Sequence, residues 1–97
     1  MNSCKDLNKI RENIDRIDHQ IVNLIAERSF YVKQAAKFKK DTNDVKAPSR
    51  VEAVIEKVRK IAEENSLAPD IIETVYRSMI NSFINMELQE HNQLESK

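Results

Sequence analysis

The chain has 97 residues, no glycine, two prolines and no tryptophan, with Lys+Arg and Asp+Glu balanced at 16 each. That length allows one domain with a marginal core of its own. The lack of glycine argues against tight hairpins and glycine-rich phosphate loops, and the balanced charge argues against an electrostatic nucleic-acid binder. The abundant Ile, Leu, Ala, Glu, Lys, Arg and Asn point to an all-α fold. MNSCKDLNKIREN is polar, without an apolar signal core, and no run reaches membrane length, so a cytoplasmic protein is expected. Cys4 stands alone and reads as a free thiol, while His19 and His91 lack ligand-spaced partners. Neither a metal nor a cofactor is expected.

The first predicted helix carries Leu7, Ile10, Ile14, Ile17, Ile21 and Leu24, a stripe with steps of three and four. Ser3 and Asp6 precede it as candidate cap and first-turn acid, respectively. The same register continues through position 28, Tyr31, Ala35 and Phe38, with no breaker before Asp41-Thr42-Asn43-Asp44. From Leu7 to Lys39 such a helix is about 50 Å long, whereas a globule of this size is only about 30 Å across. Its own chain cannot cover it, so a twofold homodimer is expected.

Pro48 suits the first turn of a second helix bearing Val51, Val54, Ile55, Val58 and Ile61, ending around Glu64-Asn65-Ser66. Pro69 opens the third in the same way, with Asp70 and Glu73 near its positive end. The apolar side of that helix carries Ile72, Val75, Tyr76, Met79, Ile80 and Phe83. Residues 1–97 are read as one helical domain with a frayed tail at 91–97.

Charge interrupts these faces. Arg28 occupies a core-facing position of the first stripe, where a guanidinium is costly to desolvate without an anion. Periodicity alone favours a structural pairing with Glu or Asp, or snorkelling to the helix end. Lys39 lies three turns further on nearly the same face, with Cα atoms about 16 Å apart, so both side chains can reach one small anion. Arg11 lies about 25 Å back, too far to share that ligand within one helix, though an antiparallel partner can carry its Arg11 beside Arg28. Solvated charge is the plain alternative for Arg11 and Lys39, and the reading given to Lys33, Lys37 and Lys40. Glu87 follows Ile80 and Phe83 on the inward side. It is either a partner for the arginine or a proton-carrying group, unless the apolar face has simply ended there.

IRENIDRIDHQIVNLIAERSFYVKQAAKFK (10–39), APSRV (47–51) and AEENSL (62–67) together resemble the all-helical, type II chorismate mutase family, which includes isochorismate pyruvate-lyases. The first segment is the specific one, joining IDRID, the Glu27-Arg28 pair and the Lys33–Lys39 spacing. The likeness covers nearly the whole chain, from about Leu7 to Glu90. It implies three helices per chain interlocked as a homodimer with two active sites. It further implies that Arg28 and Arg11 of the partner subunit bind the two carboxylates of chorismate or isochorismate. Lys39 and Glu87 would face the ether oxygen, and Arg50 would support the carboxylate end. On this footing Arg28 reads as a ligand-binding residue.

Two departures from the mutase pattern carry information. Typical mutases have Asp near position 47 and Glu at 51, where the acid accepts from the ring hydroxyl. Ala47 and Val51 stand here, as in the lyase subgroup, and Val51 leaves a C4 hydroxyl without that acceptor. Glu87 stands where mutases and lyases often have glutamine, although some fungal mutases carry Glu. Val51 therefore tips the reading toward an isochorismate pyruvate-lyase with a weaker mutase activity, and a dedicated mutase is the alternative. Rivals from other classes are a catalytically silent effector-binding domain and a plain helical interaction module.

Overall fold

A computed structural model of the protein describes residues 6–38 and 48–95, with side chains as far as Glu90. Ser3, Cys4, Lys39, Lys40, the 41–44 break and Ala47 lie outside the described residues. Three helices account for nearly all that is described, as an all-α fold requires: α1 (Leu7–Ala36), α2 (Pro48–Glu64) and α3 (Pro69–Glu95). They divide into two compact units, one built on α1 and the other on α2 and α3.

Asp6, expected as a first-turn acid, is instead the cap of α1. Its backbone is extended (φ −102°, ψ 123°), and its carboxylate accepts from the Asn8 N–H at 2.9 Å, satisfying one of the orphan donors of the first turn. Lys33 sits in the last turn, where a cation meets the negative helix end. The helix ends at Ala36, three residues short of the expected Lys39, as the Lys37 N–H turns to the carbonyls of Ala35 and Gln34. Thirty residues still give a rod of about 45 Å. None of its residues is buried, and the stripe from Ile10 (39% exposed) to Leu24 (63%) is open to solvent.

In the second unit both helices begin at proline, whose fixed φ suits the first turn and whose missing N–H costs nothing there. Ile55, Val58 and Ala62 of α2 and Ile80 of α3 are buried. Val51, Val54, Ile72, Tyr76, Met79 and Phe83 are half-buried, as the inward faces require. Ile61 and Val75 are exposed instead, and Ala62 takes the inward place next to Ile61. A one-residue step turns a helix by about 100°, so adjacent apolar residues cannot both face the core.

Ser66 closes α2 with φ 56°, the one positive φ among the described residues. The Leu67 N–H donates to the Ala62 carbonyl at 2.9 Å and the Ser66 N–H to that of Glu63 at 3.2 Å. This is the Schellman arrangement, with serine at the left-handed position where glycine is commonest. α3 then runs on to Glu95, into the segment expected to fray.

Candidate active site

On α1, Arg11 is exposed and Arg28 is half-buried. Seventeen residues of helix separate them by about 25 Å, so a single copy of α1 does not bring them to one small ligand. Arg28 belongs to a half-buried strip made with Ile25, Ser29, Val32 and Ala36, while Leu24, Tyr31 and Phe38 of the extended heptad register are exposed. Arg28 lies on both stripes, as a charge among Ile, Val, Ala and Ser. On the exposed side, Phe30 and Tyr31 pack edge to face with ring centroids 5.3 Å apart.

On the hairpin, Arg50 is exposed and Val51 half-buried in the first turn of α2, and Glu87 is half-buried on α3. Ion pairs set the antiparallel register between the two helices. Arg77 of α3 donates from Nη2 to both oxygens of Glu52 at 3.1 and 2.9 Å. Arg59 of α2 donates from Nη1 to Asp70 at 2.9 Å and to Glu73 at 2.8 Å. Carried to the open end, this register sets Val51 across from about Ile80, and Glu87 lies about two turns, roughly 10 Å, beyond. Arg50 and Val51 are thus together, whereas Glu87 occupies the outer level of the same open end.

Glu73 is the centre of a charged ladder that sequence reasoning placed only as an acid near the start of α3. Its Oε2 accepts from Arg77 Nε at 2.8 Å, and Oε1 from Arg59. The bond from Arg77, with that from Arg59, holds the Glu73 carboxyl below its ordinary range, against the cost of partial burial. Asp70 and Glu73 raise Arg59, and Glu73 and Glu52 raise Arg77. The i,i+4 spacing of Glu73 and Arg77 is visible in the sequence. The Glu52–Arg77 and Arg59–Asp70 pairs depend on register and are not.

At the closed end of the hairpin, Val58, Ile61, Ala62, Asn65, Leu67, Ile72 and Tyr76 line an open, mostly apolar pocket of about 220 Å³. None of Arg11, Arg28, Arg50, Val51 and Glu87 lines it. Among the described residues no cluster of three or more His, Cys, Asp or Glu side chains could hold a metal, and no helix is long and apolar enough to cross a membrane.

Comparison with known proteins agrees with the architecture. Residues 10–88 match the family described as chorismate mutase type II. The chain is 40% identical over 81 residues to an isochorismate pyruvate lyase of Pseudomonas aeruginosa, covering 84% of this chain and 80% of that one. It is 29% identical over 94 residues to a chorismate mutase of Methanocaldococcus jannaschii, covering 94% and 95% of the two chains. A bifunctional chorismate mutase/prephenate dehydratase of Aquifex aeolicus is 26% identical over 87 residues, which span 24% of its length. A long helix with an arginine in its shielded strip, the Arg50-Val51 turn and a match over four-fifths of the chain lead to one conclusion: the chain belongs to the type II chorismate mutase family.

Proposed function

We propose that the protein is a homodimeric isochorismate pyruvate-lyase, converting isochorismate to salicylate and pyruvate, with a weaker chorismate mutase activity. Val51 carries the reading. A half-buried valine in the first turn of α2 offers no acceptor to a C4 hydroxyl, and an unpaired buried hydroxyl disfavours chorismate. The similarity to a lyase at 40% identity supports the same choice.

In either reaction the enolpyruvyl C–O bond breaks without a nucleophile, metal or cofactor. In the lyase a hydrogen passes from the ring to the enolpyruvyl methylene as that bond opens. Negative charge builds on the ether oxygen, so the enzyme holds a compact conformer and stabilises that charge. Arg28, with Arg11 of the partner subunit, grips the two carboxylates, since paired guanidinium bonds fix geometry as well as energy. Arg50 supports the carboxylate end. Lys39 donates to the ether oxygen, and Glu87 does so when its carboxyl carries a proton, an interaction that strengthens as the bond opens and so accelerates the step.

The dimer is proposed from α1. A single chain leaves the Leu7–Leu24 stripe exposed along a rod that its own residues are too few to cover. Residues 1–97 form one functional domain on this reading, acting in the cytoplasm on a small dicarboxylate.

The test supplies chorismate and isochorismate separately and assays prephenate, salicylate and pyruvate. Preferred release of salicylate and pyruvate from isochorismate supports the lyase. Efficient prephenate formation with little lyase activity makes the protein a mutase that works without the acid at position 51. A dimer that binds both substrates and turns over neither is a silent effector-binding domain.

A further inference from the structure

We infer that Arg77 is a positioning residue: through Glu52 it holds the first turns of α2, and with them Arg50 and Val51, in register with α3. The inference rests on the proposed site at Arg50 and Val51.

Burial along α2 is uneven. The buried side chains begin at Ile55 and continue with Val58 and Ala62. Before Ile55, Val51 and Val54 are half-buried and Ser49, Arg50, Glu52 and Ala53 are exposed. A helix start with no fully buried side chain has little packing to resist fraying or a small slide. Glu52 lies in this stretch, and both its oxygens accept from Arg77 Nη2. The pair joins two residues 25 apart in sequence, across the hairpin.

Arg77 is itself held. Its Nε donates one turn back to Glu73, whose other oxygen takes Arg59, and Arg59 reaches Asp70. A planar guanidinium fixed at Nε presents Nη2 in one direction, so little further side-chain entropy is lost on meeting Glu52. The ladder is partly open to water, with side-chain exposures of 39% for Arg77 and 63% for Glu52. Such pairs add little to overall stability. The hairpin stands on Ile55, Val58, Ala62 and Ile80, and the Arg77–Glu52 pair acts on the position of the segment outside that core. Val51 immediately precedes Glu52, so a shift of this turn moves both site residues together.

The test is a double-variant cycle with Arg77→Met, which keeps the apolar stem, Glu52→Gln, and the two combined. Each single variant is expected to raise KM for the preferred substrate about five- to tenfold, since small misplacements of binding groups are costly, with kcat within about twofold. The double variant should be no worse than the poorer single, because both break one link. Hydrogen exchange supplies a readout independent of turnover: amides of residues 51–54 should exchange faster in Arg77→Met, with those of 58–62 unchanged. Exchange that is unaltered, or faster throughout the hairpin, overturns the inference, as do additive KM effects or none in an active enzyme. Wild-type protein inactive on both substrates would sink the proposed site, and the exchange pattern would still decide the clamp.

Discussion

Arg77 and Glu73 meet at 2.8 Å one turn apart on α3, and the contact makes the Glu73 carboxyl a stronger acid than an isolated glutamate. Because the folded-state carboxyl is depressed, its stabilising effect is complete above the ordinary carboxylate range. It is lost as pH falls through the folded value. Helical circular dichroism followed on acidification should show the hairpin weakening below about pH 4.5. Glu73→Gln should lower stability at neutral pH and flatten this acid limb. An identical acid limb in the variant would remove Glu73 from the explanation.

Ser66 predicts a stabilising substitution. Its φ of 56° carries a steric cost for any residue with a Cβ, and glycine avoids it at some cost in unfolded-chain entropy. Ser66→Gly should gain about 0.5–1 kcal/mol, a rise of a few degrees in Tm by scanning calorimetry. Ser66→Val should move Tm the other way, because a branched Cβ is worst placed at positive φ.

Glu87 predicts a pH profile. A carboxyl donates to the ether oxygen only while protonated, so turnover that depends on this donor should be lower in alkaline buffer. An amide donates at any pH, and Glu87→Gln should flatten that limb of the kcat profile. An unchanged profile in the variant would remove Glu87 from the chemistry.

Arg11 and Arg28 lie about 25 Å apart on one helix, which predicts complementation between subunits. Arg28→Ala and Arg11→Ala should each abolish turnover while sedimentation still shows a dimer. If each site draws Arg11 from the partner subunit, heterodimers of the two variants contain one intact site. Equal mixing with subunit exchange should then restore roughly a quarter of wild-type activity. No recovery, with heterodimers demonstrated, would place both arginines in sites built within one chain.

The legible parts of the sequence were those set locally. Pro48 and Pro69 start their helices because a fixed φ acts on the residue itself, whereas Asp6 reads only as an acid at the start of α1 and is its cap by a bond spanning two residues. Ile55 and Val58 fell on the buried face by spacing alone. Ile61 did not, because apolarity does not say which of two adjacent residues turns inward, and Ala62 did. The close of α2 was placed at Glu64–Ser66, but its mechanism was hidden, since serine does not announce a left-handed residue as glycine does. Arg28 was legible as an exception to its stripe and is half-buried. The Glu52–Arg77 pair was invisible because it exists only once two helices have chosen a register.

The exposed stripe of α1 also bears on how the protein is made. Of the three helices, α1 leaves the ribosome first, and α2 and α3 follow over several seconds of synthesis. Throughout that interval Ile10, Ile14, Ile17, Ile21 and Leu24 are presented to the crowded cell interior on a nascent chain. For the proposed dimer, neighbouring ribosomes on one message are the nearest source of a matching helix, so pairing during translation would compete directly with capture by chaperones or self-aggregation.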